Sequence, residues 1–173
     1  MIRTVVVTIS DRSARGERED LSGPVVVSLL DAGKFELRRT LVIADDRESI
    51  AKRLRRIADT GGVDLILTTG GTGLSTRDVT PEATTSICDR LVPGLPELMR
   101  AATAKATPFA ALSRAVCGIR GATLILNLPG SPKGVREMLS VALPLLPHAV
   151  QTLRGEASDA SHQPGAGRAA EPS

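Results

Sequence analysis

The sequence holds no Trp and no Tyr, and its only Phe residues are Phe35 and Phe109. Proteins that bind single-stranded nucleic acid stack bases on aromatic side chains, so this composition argues against a nucleic-acid partner. It also leaves Val, Leu, Ile and Ala to build the core, which suits parallel strands buried on both faces. Cysteine is nearly as scarce. Cys88 and Cys117 lie far apart, match no metal-ligand spacing, and read as small core residues in a reducing compartment. No apolar stretch approaches the roughly 20 residues that cross a bilayer, and the N-terminus runs straight into a strand pattern, so a cytoplasmic protein with no membrane contact is expected. Charge of one sign is also lacking: 22 Lys and Arg against 19 Asp and Glu give a net +3, a mild help with an anionic ligand. The densest basic run, Lys52, Arg53, Arg55 and Arg56, falls between Ile50, Leu54 and Ile57 and reads as the solvated face of a helix.

What is present is enough apolar side chain, 42% of 173 residues, to bury one sizeable core. The β-branched run Arg3 to Ile9 predicts a buried strand that empties at Ser10-Asp11 into a polar loop. A helix is expected from Ser22, with Pro24 in its first turn and Gly33 at its C-cap, followed by a strand over Phe35 to Ile43. Asp46 is placed to cap a helix over Arg47 to Asp59, which Gly61-Gly62 stops. Val63 to Thr69 predicts a strand that runs directly into Gly70-Gly71-Thr72-Gly73. Thr80 is placed to cap a short helix with Pro81 first, and another helix is expected over Pro96 to Lys105 with Leu98, Met99 and Ala102 on its apolar side. Ala115 to Ile119 and Thr123 to Leu128 read as short strands. Ser131 caps a last long helix, with Pro132 in its first turn and Pro144 and Pro147 kinking its second half. From Gly155 the chain is poor in apolar residues and rich in Gly, Ala, Ser and Pro, so one domain over residues 1–154 and a disordered tail over 155–173 are expected.

Strands alternating with helices imply right-handed crossovers and a mainly parallel sheet covered on both faces. Ligands of such sheets bind beyond the carboxyl ends of the strands. Ser10-Asp11, the Gly70 loop and the loop Leu128-Pro129-Gly130-Ser131 all follow strands and can converge there. Gly70 to Gly73 lets backbone N-H groups approach a phosphate, although by itself a GGTG is equally a plain tight turn. No Gly-Lys-Ser/Thr follows it, so it is not a Walker loop. Asp78 stands just before a helix N-terminus beside that loop, where a carboxylate can hold Mg²⁺ or simply cap a turn or pair with Arg77.

The stretch GGTGLSTRDVTPEAT resembles the signature of the molybdopterin-binding family, and the match continues in order through Pro93-Gly94, Leu112-Ser113-Arg114 and ILNLPGSPKGVRE at Ile125 to Glu137. The resemblance covers nearly all of Arg3 to Arg154 and implies a three-layer α/β sandwich, usually assembled as a homotrimer. It implies adenylylation of molybdopterin by Mg-ATP with release of pyrophosphate, hence Mg²⁺ as cofactor, ATP and molybdopterin as substrates, and a separate metal-insertion molybdotransferase as a partner. The same fold serves paralogues that bind or carry the pterin without catalysis, which is the alternative. Carried over by position, Asp78 is the leading catalytic carboxylate and the Mg²⁺ ligand. Asp45 matches a second functional Asp, with Asp46 adjacent to it. Ser10, Asp11, Gly70, Gly71, Thr72 and Gly73 surround the phosphates, and Glu82 shapes the site. Ser113, Leu128, Pro129, Gly130 and Ser131 form the remaining wall. Lys133 is placed as a phosphate contact or, alternatively, as a solvent-exposed lysine in the first turn, where a cation opposes the helix dipole unless an anion is present.

Overall fold

A computed structural model of the chain describes residues 1–156. The six strands are β1 (Ile2–Ile9), β2 (Phe35–Ile43), β3 (Leu65–Thr69), β4 (Arg90–Leu91), β5 (Cys117–Arg120) and β6 (Thr123–Leu128), in the order β2-β1-β3-β6-β5-β4. The first four of that order are parallel, and β5 and β4 add antiparallel. Four carboxyl ends therefore lie along one edge. Alternation within the parallel strands feeds two cores. Ile2, Val6, Leu65, Leu67, Leu124 and Leu126 face α2 (Ser22–Leu29), α5 (Gly94–Ala104), α6 (Pro132–Ala142) and α7 (Leu146–Leu153). Val5, Val7, Ile9, Ile66 and Ile125 face α3 (Arg47–Asp59) and α4 (Thr80–Thr85). The result is the expected three-layer α/β sandwich, with no internal strand that needs a polar face.

Helix α3 runs between the expected bounds because its signals are local: the Asp46 carboxylate accepts from Ser49 N-H at 2.8 Å, and Gly61 and Gly62 turn at φ +79° and +73°. Its basic residues are exposed, as a solvated face requires. Elsewhere tertiary context overrides the sequence signals. Helix α2 stops at Leu29 rather than at Gly33, its three valines being weak helix formers and Asp31 closing a separate turn onto Gly33 and Lys34 N-H. Its N-cap position is Leu21, and it is Asp20, one residue earlier, whose Oδ1 accepts from the first-turn Ser22 and Gly23 N-H. Thr80 is not a cap: it lies inside α4 behind Val79. Helix α5 begins at Gly94 and buries Leu95, Pro96, Met99 and Thr103, while Leu98 and Ala102 face out. The last helix is two, α6 and α7, broken around Pro144, with Pro147 in the first turn of the second. Strand β4 and the one-turn helix α1 (Asp11–Ala14) carry no sequence signal of their own. The expected tail lies, from residue 157 on, outside the described residues.

Strand β2 is an edge strand, half clear of the helix layers, with Leu37 and Val42 each 42% exposed. At the amino ends of the strands Asp64, 3% exposed, receives both Arg3 and Arg154 and so joins the start of β1 to the end of α7.

Candidate functional site at the carboxyl ends of the strands

Strands β1, β2, β3 and β6 deliver four loops to one edge. Gly70 turns at φ +105° with its N-H on the Leu128 carbonyl at 3.2 Å, and a Cβ there would overlap the Ile9 carbonyl oxygen. Gly71 follows at φ +65°, and a Cβ on it would run into Thr80 Oγ1 and come within 3.2 Å of Asp45 Oδ1. Glycine at both places lets three loops touch where a ligand backbone can also approach. Below them a buried polar knot fixes the height of the site: Asn127 donates to Thr68 Oγ1 at 2.9 Å and to Thr84 Oγ1 at 3.0 Å, tying β6 to β3 and to α4.

The two neighbouring aspartates in the loop after β2 divide their work. Asp46 caps α3, whereas Asp45 turns inward, its Oδ2 accepting from Asp11 N-H at 3.1 Å while its own N-H donates to Asp11 Oδ1 at 2.9 Å. Asp78 closes a short turn by accepting from Ser75 N-H on Oδ2 at 2.9 Å. Arg77 does not pair with it; Arg77 pairs with Asp11. Burial, and then the charge of Asp78, push the Asp45 carboxyl above its ordinary range. Two carboxylates facing one space in this way favour a cation between them. Among the described residues no cluster of three or more His, Cys, Asp or Glu is assembled to hold a metal. The donor set fits Mg²⁺ all the same, because that ion commonly takes one or two carboxylates together with substrate phosphates. The buried Thr80 Oγ1, which has no hydrogen-bond partner, adds an oxygen beside Gly71.

Two cavities meet at Gly71, Asp78 and Gly130. One, about 430 Å³, is walled by Phe109, Leu112 and Met138, with Thr72, Gly73, Ser113, Pro129, Ser131 and Lys133 around it. The other, about 180 Å³, is polar and takes in Ser10, Asp20, Asp45, Gly70 and Arg18. A body with an apolar ring system and a second, charged one would both reach Asp78. A larger cavity, about 590 Å³, lies away from these loops between β2 and α3, rimmed by Arg38, Arg39, Arg53 and Arg56, and no carboxylate lines it.

Three of the expected site residues, Leu128 from the wall, Asp11 from the phosphate surround and Glu82, support the site from behind the two cavities and line neither. Leu128 is fully buried, and it is its carbonyl that contributes, by holding Gly70. Asp11 braces Asp45. Glu82 lines neither of the two cavities; burial pushes its carboxyl up, and hydrogen bonding at the start of α4 and Arg114 outweigh this to leave it below the usual range. Sequence reasoning passed over Arg18, Asp20, Phe109 and Arg114. The signals available were a Phe in a chain with two of them, and an Arg adjoining Ser113 in a motif already singled out.

The family model described as "Probable molybdopterin binding domain" matches residues 5–148. The chain belongs to the molybdopterin-binding domain family. Among its relatives in this family is the molybdopterin adenylyltransferase of Helicobacter pylori strain J99, 43% identical over 155 residues, which span 87% of this chain and 86% of that one. The enzyme of the same name from Escherichia coli K12 is 43% identical over 141 residues, covering 80% and 72%. The structure of the molybdopterin biosynthesis enzyme MoaB from Thermus thermophilus superposes with a TM-score of 0.85 at 53% identity, covering 90% of this chain and 98% of that one.

Proposed function

We propose that this member of the molybdopterin-binding family is a molybdopterin adenylyltransferase acting in molybdenum cofactor biosynthesis. It joins the terminal phosphate of molybdopterin to AMP from Mg-ATP and releases pyrophosphate. The observation that carries this reading is that Asp78, where the two cavities meet, shares the smaller, polar cavity with Asp45, in a chain whose relatives of that name match most of its length. A phosphate oxygen of the pterin attacks the α-phosphorus, the bond to the β-phosphate breaks, and pyrophosphate leaves. The nucleophile is already an anion, so the chain need not create a strong base; it must bring two anions into line. Backbone N-H groups of Gly71 to Gly73 and the Lys133 ammonium meet phosphate charge, and the cavity wall of Phe109, Leu112 and Met138 takes a ring system. Asp78, with Asp45 beside it, would hold Mg²⁺, and the ion would supply neutralisation of the phosphate charge that builds up in the transfer. On family resemblance the enzyme works in the cytoplasm as a homotrimer and passes its product to a metal-insertion molybdotransferase.

The direct test is to mix the protein with ATP, Mg²⁺ and molybdopterin and to follow pyrophosphate and adenylyl-molybdopterin. Both are expected in equal amounts, and binding of molybdopterin without either product would return the chain to the carrier alternative. A pH profile adds a second check. Asp45 must be ionised to serve beside the metal, so turnover is expected to fall on the acid side at a pH above the ordinary aspartate range. Raising Mg²⁺ favours the ionised form and is expected to move that limb to lower pH. A limb that ignores Mg²⁺ would count against Asp45 as part of the metal site.

A further inference from the structure

Between Thr72 and Val79 the chain has no helix or strand, and Leu74, Ser75, Thr76 and Arg77 are exposed, yet this segment carries Asp78. Little apolar burial holds it, so its geometry depends on polar anchors. One is the Arg77 to Asp11 pair at its outer side. The other is Arg114. Its Nε donates to the Gly73 carbonyl at 2.7 Å, Nη2 donates to the Asp78 carbonyl, and Nη1 pairs with Glu82. Its own backbone N-H donates to the Thr72 carbonyl at 2.9 Å. One planar guanidinium thus spans both ends of the Gly73 to Asp78 loop and the first turn of α4. The backbone of its neighbours is held from the opposite side, since Arg100 on α5 donates to the Ser113 and Ala115 carbonyls at 3.3 and 3.2 Å. Ser113 in turn lines the larger cavity.

We infer that Arg114 is a positioning residue for adenylyl transfer, fixing Asp78 and the Gly73 carbonyl against the wall that receives substrate. The inference rests on the reading of Asp78 as the carboxylate of the transfer. Arg114 touches the Asp78 main chain and not its carboxylate, so its effect is on where the carboxylate stands. A Lys cannot substitute, because one ammonium on a flexible stem does not meet three acceptors spread in a plane. Displacement of a reacting group by about 1 Å is enough to cost about 10²-fold in rate.

The test compares Arg114→Ala, Arg114→Lys and Asp78→Asn by thermal melting and by steady-state kinetics with ATP and molybdopterin. Arg114→Ala is expected to fold and to lose about 10²-fold in kcat with both KM values little changed. Millimolar guanidinium is expected to restore part of that kcat, and to restore nothing to Asp78→Asn. Wild-type kcat in Arg114→Ala or Arg114→Lys, with Asp78→Asn inactive, would overturn the positioning role while leaving the reading of Asp78 intact. A rise in KM alone would overturn it too, by making Arg114 part of the wall. Failure of even Arg114→Lys to fold would make the arginine a structural staple and equally overturn it. Full turnover in Asp78→Asn would remove the reading of Asp78 itself.

Discussion

Asp78→Asn is expected to give a folded protein whose turnover is lower by about 10² or more, the scale that follows loss of a main electrostatic contribution to the transition state. The substitution separates the turn-forming role that the geometry shows from the Mg²⁺-holding role that the proposed function gives the same side chain. As a turn-former Asp78 needs only an acceptor oxygen for Ser75 N-H, and Asn supplies one in the same place. The structural cost is then about 1 kcal/mol or less. As a holder of Mg²⁺ against the phosphates it needs a full negative charge, which Asn lacks. Molybdopterin binding is expected to persist, because the cavity wall draws on Phe109, Ser113 and the loop after β6. Thermal melting and formation of adenylyl-molybdopterin are measured on the same preparation. Near-normal turnover would sink the catalytic assignment and favour a carrier.

The largest loss of stability is expected at the opposite end of the sheet, from Asp64→Ala. The Asp64 carboxylate is 4% exposed and accepts five N-H groups: the main chain, Nε and Nη2 of Arg3 and the Nε and Nη2 of Arg154, at 2.7 to 3.2 Å. Removing it leaves two guanidiniums facing each other over a buried gap. Breaking a buried pair costs about 3 to 5 kcal/mol, and the lower end applies because both arginines keep a solvent-facing side. Burial pushes the Asp64 carboxyl up, but the bonds from Arg3 and Arg154 outweigh it and hold the group well below the usual carboxylate range. A depressed folded value means that the stabilisation is complete above the unfolded value, near 3.8, and is lost as the pH falls from there towards the folded one. Urea unfolding should therefore separate wild type and variant widely at neutral pH and less at pH values below that of an unfolded aspartate. A difference at neutral pH of less than about 1 kcal/mol would mean that the triad behaves like an exposed ion pair.

What could be read from the sequence was whatever short-range chemistry specifies. The β-branched run of β1, the 3.6-residue stripe of α3 with Asp46 at its head, and the glycines after β3 each announce themselves within a few residues. What could not be read depends on partners far along the chain. Strand β4 has two residues and exists because β5 offers it an edge. Asp45 and Asp46 are chemically identical in sequence, and only the fold turns one inward. Glu82, Asp11 and Leu128 lie in or beside the motifs, so motif reading grouped them with the ligand contacts; they hold Arg114, Asp45 and Gly70 instead. Arg114 was missed for the converse reason, since its three acceptors lie 32 to 41 residues away.

The uncovered outer edge of β2 bears on how copies of this chain meet in a crowded solution. A nine-residue strand with free backbone groups and exposed Leu37 and Val42 is a template for the strands of other molecules. Its middle, however, is Arg38-Arg39. Two such edges aligned antiparallel about that middle would set arginine against arginine, and the further cations Arg53 and Arg56 stand over the same groove. The basic groove therefore works as a guard on the open end of the sheet, leaving the hydrogen-bonding edge available to water and hostile to its own copy.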